Sequence, residues 1–201
     1  MPQNIKIIPV ENRALLRRFI KLPWKIYKND PFWVPPLLFD VRRRLSKRFN
    51  PFFKHARARY FLATSDGEDV GRISAHVDDH SNLFQKAKQA CFGFFESVDD
   101  PDVANSLLSA ASDWGVDQGM EEILGPFSFS TNDECGLLIE GFDTPPMILM
   151  TYNPPYYQRL IEGAGFKKAH DLFAYHLDKT AEPPKPIIDI AEALKRNYRI
   201  K

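Results

Sequence analysis

The sequence predicts an α+β fold, a mixed and largely antiparallel central sheet with helices on both of its faces. Three observations lead there. Residues 57–77, RARYFLATSDGEDVGRISAHV, set two apolar runs about Asp66-Gly67, the strongest hairpin signal in the chain. Residues 90–124 read as apolar strand, helix and apolar strand, so a crossover follows the hairpin. Along the whole chain, strand-like segments outnumber helical ones.

Each element has a local reason. NIKIIPV (4–10) is a short apolar strand, and ENRALLRRFIKLPWKIYK (11–28) has the spacing of a basic amphipathic helix. Pro31, Pro35 and Pro36 interrupt the chain before a second amphipathic stretch, LLFDVRRRLSKRF (37–49). After the hairpin, ACFGFFESV (90–98) is a strand. The next helix starts with Asp100 as cap and Pro101 in its first position, repeats Val103, Leu107, Ala111 and Trp114 at helical spacing, and ends at Gly119. EEILGPFSFS (121–130) is the following strand, and GLLIEGFDTPPMILMTYN (136–153) holds further apolar segments. PPYYQRLIEGAGF (154–166) is a helix between prolines and glycines, and KKAHDLFAYHLD (167–178) is the last strand. From Lys179 a proline-rich linker leads into a basic helical stretch still running at Lys201, so residues 1–178 form the expected domain and 179–201 an appendage.

The 201 residues, 44% hydrophobic and 13% aromatic, suffice for one substantial core. A net charge of +1 argues against a dedicated nucleic-acid binder, so no nucleic acid is expected as partner. The charge is uneven: Arg42, Arg43, Arg44, Lys47, Arg48, Lys54, Arg57 and Arg59 fall within 42–59 without one acidic residue. That stretch is either a solvated face or an attractor of coenzyme phosphates or anionic lipid head groups, and the Phe52-Phe53 pair adds contact with a membrane surface to the expectations. Cys91 and Cys135 lack metal-type spacing, and the start of the chain has no apolar leader, so a reducing, cytoplasmic setting is expected.

Four segments are candidates for chemistry. The helix start at Asp99, Asp100 and Asp102 stands where a phosphate loop would, but lacks glycine. Asp100 would occupy the free N–H groups itself and repel a phosphate, so the helix is read as self-capped. SFSTNDECG (128–136) would deliver Thr131, Asn132, Asp133 and Glu134 at a strand end, where Asn132 could bind a polar group and Glu134 take a proton from an amine. The alternative there is an Asx-type turn serving its own backbone. YNPPYYQRL gathers Tyr152, Asn153, Tyr156 and Tyr157 about a helix start, as hydroxyl and amide groups of a cleft or as core rings. His76, Asp78 and His80 share one strand face, but no fourth ligand is evident, and no metal is expected.

The order of elements resembles the GNAT acyl-CoA N-acyltransferase superfamily. YFLATSDGEDVGRISA looks like that fold's second and third strands, and YYQRLIEGAGFKKAHDLFAYHL like its closing helix, GF turn and strand. NPFFKHARARYFLA, the block GPFSFSTNDECGLLIEGFDTPPMILMTYNPPYYQRLIEGAGF and KKAHDLFAY resemble, more narrowly, the bacterial ceramide synthase-like group. The resemblance covers about residues 4–178. It implies acyl transfer from acyl-CoA or acetyl-CoA to a small-molecule amine, and its narrower form implies a lipid-like long-chain base. It also implies a second GNAT-like half that carries the usual coenzyme loop, so this sequence reads as a first half only. Glu134 and Tyr157 are then the expected catalytic residues, and Asn132, Asn153 and Tyr156 the expected substrate-binding ones. The tyrosine that commonly protonates the departing thiolate has Ile161 at its position here. That departure leaves open a non-catalytic half that shapes a groove for a partner domain.

Overall fold

Asp66 and Gly67 take positive φ angles of 51° and 86°, which glycine tolerates freely and aspartate better than most residues. They turn the chain between β2 (Ala56–Ser65) and β3 (Glu68–Asp78), the expected hairpin. The computed structural model describes residues 4–176, 180 and 182–198. They divide into two units that part between Lys167 and Lys168.

In the first unit β1 (Ile5–Pro9), β2, β3, β4 (Gln89–Ser97) and β5 (Glu122–Leu124) form one sheet in chain order. The first four are antiparallel neighbours, and β5 joins β4 in parallel. The helices are α1 (Arg13–Ile26), α2 (Leu38–Arg44), α3 (Asp79–Gln85), α4 (Pro101–Asp117) and α5 (Tyr157–Gly163). This is the α+β architecture expected, with α4 as the crossover.

Strand alternation sorts the apolar residues onto two faces. Phe61, Ala63, Ile73 and Ala75 meet Val103, Leu107 and Ala111 of α4 and Leu160 of α5 in one core. Ala58, Tyr60 and Leu62 meet Phe19 and Ile20 of α1, Val41 of α2, and Phe94 and Phe129 in a second.

Three expectations are corrected. The strand face expected to carry His76, Asp78 and His80 ends at Asp78, because residues 79–85 form α3, capped by Asp78, whose carboxylate accepts from the N–H groups of His80 and Ser81. The strand expected over 121–130 stops at Leu124, because Pro126 has no N–H and Phe129 has φ 93°. The strand expected over 167–178 is absent from the described residues 167–176, where Leu172, Phe173 and Tyr175 are exposed; residues 177 and 178 lie outside the described ones. The second unit contains α6 (Lys185–Tyr198), which begins inside the expected linker.

At the start of α4, Asp100 Oδ1 accepts from Asp102 N at 2.9 Å and Val103 N at 3.4 Å, the self-capped geometry expected. Asp100→Ala should destabilise the first unit by about 1 kcal/mol in urea unfolding. It should leave any acyl-CoA affinity unchanged, which a ligand titration on the same variant checks.

Candidate functional site

The site begins with a proline in a helix. Pro23 lies inside α1 and has no N–H, so the carbonyl of Phe19 four residues earlier lacks its helical donor. Arg72 Nη1 of β3 supplies one at 2.8 Å. The buried guanidinium lies 5.0 Å from the Phe19 ring centroid and 6.0 Å from that of Phe94, so aromatic faces replace part of its hydration.

Arg72 and Glu96 are cross-strand partners, and Arg72 Nη2 reaches Glu96 Oε1 at 3.3 Å. Tyr27 and Tyr157 each donate a hydroxyl to Glu96 Oε2 at 2.7 Å. The Tyr157 hydroxyl in turn accepts from Ser97 N at 2.9 Å. Burial pushes the Glu96 carboxyl upward, against the pull of Arg72 and both hydroxyls. Burial first, then the adjacent Glu96, holds Tyr27 and Tyr157 well above the usual phenol range. Both therefore keep their protons and act as donors.

Next to this network β4 bulges. Arg72 pairs with Glu96 and Ser74 with Gly93, so Phe94 and Phe95 oppose Ile73 alone, and Phe94 has φ 46°. A bulge frees peptide groups from the ladder. Over it lies a cavity of about 30 Å³, lined by Ile20, Pro23, Pro36, Val41, Arg44, Arg72, Phe94 and Glu134. It has room for a water or two, not for a substrate without movement of its walls. A larger groove of about 230 Å³ runs beside α1 between Arg17, Arg18, Lys21, Lys25 and Asp69. It is open to solvent and holds the Arg18–Asp69 ion pair, so the smaller cavity is the better candidate for chemistry.

Of the residues singled out in the sequence, Glu134 reaches this cavity. Its side chain is 40% exposed and meets Arg44 Nη1 at 3.1 Å, so one member of the basic stretch serves the site. Asn132 is exposed on the same turn, which serves its own backbone as well: Ser130 Oγ donates to Asp133 Oδ2 at 2.8 Å and accepts from Asn132 N at 3.2 Å. Tyr157 is buried in the α4-side core with its hydroxyl on Glu96, and it does not line the cavity. Tyr156 donates to Ser97 O at 2.8 Å. Asn153 accepts from Leu138 N and donates to Leu138 O and Pro154 O, so its amide fastens a loop. Tyr152 donates to Asp30, and burial with that carboxylate pushes its hydroxyl up to about 12.

The histidine face separates. His76 is buried with Nε2 3.1 Å from Phe129 O, Asp78 caps α3, and His80 stacks on His55. Among the described residues no group of three or more His, Cys, Asp or Glu could hold a metal. Burial also pushes the Cys91 thiol up to about 12. Phe52 and Phe53, expected at a membrane surface, pack instead on Phe129.

Sequence reasoning missed Arg72, Glu96 and Tyr27. The available signal was one charge of each sign inside the apolar runs VGRIS and FFESV, opposite one another across neighbouring strands.

These elements define the class: the GNAT acyltransferase fold. The structure superposes on an aminoglycoside acetyltransferase from an uncultured soil metagenomic sample with TM-score 0.50 and 13% identity, covering 87% of this chain and 97% of that one. It matches a tandem GNAT protein from the clavulanic acid biosynthesis pathway with TM-score 0.54 and 14% identity, covering 81% of this chain and 43% of that one. No family model matches the sequence. Within this class the sequence resembles the bacterial ceramide synthase of Caulobacter vibrioides, at 44% identity over 183 residues, which is 90% of this chain and 48% of that protein. It is also 40% identical over 170 residues to Protein YghO of Escherichia coli, covering 84% of this chain and 43% of that protein. The chain thus spans about half the length of the curated relatives it matches.

Burial also sets a pH dependence. It lowers His76 from 6.5 to about 4, so the folded protein binds this proton less readily than the unfolded chain. That stabilising contribution is complete above about 6.5 and is lost as pH falls through 4, a loss of about 3 kcal/mol. Urea unfolding at a series of pH values should show this slope, and His76→Gln should flatten it.

Proposed function

We propose that this chain is the acyl-CoA-dependent N-acyltransferase half of a GNAT-type protein, with an amine as acceptor and a long-chain, lipid-like amine as the preferred class. The observation that carries the reading is the cavity at the bulged end of β4, where Arg72, Phe94 and Glu134 converge over the buried Glu96 network. The name of the Caulobacter relative supports the acceptor class. A solved neighbour of TM-score 0.50, bound to a CoA-linked bisubstrate analogue of an acetylated aminoglycoside, supports the coenzyme.

In this reading Glu134 takes a proton from the ammonium form of the acceptor, and Asn132 on the same turn binds its polar substituents. The amine lone pair attacks the thioester carbonyl carbon. The C–N bond forms and the C–S bond breaks, and the proton that the attacking nitrogen gives up as it becomes an amide passes to the departing thiolate, which leaves as the free thiol. A peptide N–H freed by the bulge at Phe94 polarises the carbonyl as its charge develops. Tyr157 is a positioning residue that fixes Glu96 and through it Arg72, while Tyr156 and Asn153 hold the adjoining wall. The two cysteines are free, which suits a reducing, cytoplasmic setting. A second half would supply the coenzyme's phosphate site, because Asp100 fills the N-terminus of α4.

That filled terminus favours a second reading, a non-catalytic half that shapes the acceptor groove. Turnover decides between them. The chain is assayed for thiol release from palmitoyl-CoA with a long-chain amine, alone and extended by a homologous second half. Glu134→Gln should lower kcat/KM at least about 100-fold in whichever form is active, with the thermal midpoint unchanged. An active wild type indifferent to Glu134→Gln contradicts the assigned base, and no turnover in either form supports the groove-shaping reading.

A further inference from the structure

The segment 34–49 forms one wall of the cavity through Pro36, Val41 and Arg44, and its other side is an exposed surface with two opposed properties. Its inward positions are filled: Val41 and Leu45 are buried in the α1-side core. The side chains left over should be polar by the usual logic of a helix lying on a sheet. Instead Leu37 and Phe39 are each 72% exposed, Phe49 is 62% exposed and Val34 is 54% exposed. Four large apolar groups thus stand exposed within sixteen residues, and exposed apolar surface is what marks an interaction site.

Cations are interleaved with them along the chain. Arg42, Arg43, Lys47 and Arg48 are exposed, and among the described residues no carboxylate lies within ion-pair distance of any of the four. Further along the same basic stretch Arg57 pairs with Asp79, and Arg59 with Glu11. Arg48 stands over the Phe49 ring at 5.2 Å, which joins cation and apolar group in one unit. On α2, Phe39, Arg42 and Arg43 lie one turn apart on the side opposite Val41. The only acid in the segment is Asp40.

We infer that this surface binds an anionic lipid bilayer, with Leu37, Phe39 and Phe49 inserted at the level of the head groups and Arg42, Arg43, Lys47 and Arg48 held against lipid phosphates. Charge complementarity selects this occupant. Unmatched cations around apolar side chains fit an interface that offers both a negative surface and a hydrocarbon layer. A protein partner, or a second copy of the chain, would have to bury four uncompensated cations. No helix of the described residues is long and apolar enough to cross a membrane, so the contact is peripheral. Because the same segment walls the cavity, a bound bilayer would stand beside its mouth. The inference rests on the surface alone and holds whether or not the chain catalyses acyl transfer.

The test is co-sedimentation of the 201-residue chain with phosphatidylcholine vesicles, with and without phosphatidylglycerol. Binding is expected to the anionic vesicles alone and to weaken as salt is raised. At about 1 kcal/mol per cation near the surface, Arg42→Ala with Arg43→Ala should reduce partitioning about 30-fold. Leu37→Ser with Phe39→Ser should reduce it at least about tenfold. All four side chains are exposed, so the variants should keep the wild-type thermal midpoint; for any that does not, the salt dependence of the wild type carries the test. Equal binding to both vesicle types, or variants that bind like wild type, overturns the inference. So does a concentration-dependent dimer that Leu37→Ser with Phe39→Ser abolishes while vesicle binding is absent.

Discussion

A buried guanidinium holds together the part of this protein that faces the cavity. Arg72 carries a full charge into the core between the sheet and α1, where leaving it unmatched would cost several kcal/mol. Its compensation comes from α1 and β4 together: the Phe19 carbonyl, the Glu96 carboxylate, and the faces of the Phe19 and Phe94 rings. The proline that spoils one hydrogen bond in α1 thereby fixes where the helix meets the sheet. Each partner is then committed in turn, since Glu96 draws Tyr27 from the end of α1 and Tyr157 from the start of α5. One charge thus ties together chain segments more than a hundred residues apart.

This arrangement explains why the two faces of the sheet do different things. The face under α4 is largely apolar in its buried positions, with Ile73, Ala75, Phe92 and Leu107 in one core. The other face carries Arg72, Ser74 and His76 along β3, and one polar atom of each is buried without a partner. A stripe of that kind costs stability and is a common mark of a site. The bulge in β4 and the turn bearing Glu134 sit at the Arg72 end of the stripe. The His76 end is closed by the Phe129 carbonyl and the Phe52 and Phe129 rings.

Much of the fold was legible because it is written in local signals. The Asp66-Gly67 turn, the Asp100-Pro101 cap and the spacing of α4 each act within a few residues, and each matches the structure. The strand expected over 121–130 was misread because alternation alone ignores the missing N–H of Pro126. The one expected over 167–178 has the right pattern, but pattern does not supply a neighbour to pair with. The site was half legible. Glu134 stood out as an acid in an apolar neighbourhood, and it does line the cavity. Arg72 and Glu96 did not, because their meaning lies in a strand register that joins residues 24 positions apart. Tyr157 was noticed as a hydroxyl near a helix start, but its direction, down onto Glu96, depends on how α5 packs.

The coupling between Arg72 and Glu96 organises this side of the sheet, and a double-mutant cycle measures it most directly. Arg72→Met, Glu96→Met and the double variant are compared with the wild type by urea unfolding at neutral pH. Each single change strands a buried charge and should cost about 3–5 kcal/mol. The double change replaces the pair with apolar groups and should cost less than the sum by at least about 2 kcal/mol. Additive costs, with coupling below about 0.5 kcal/mol, would contradict the claim that this pair organises the site.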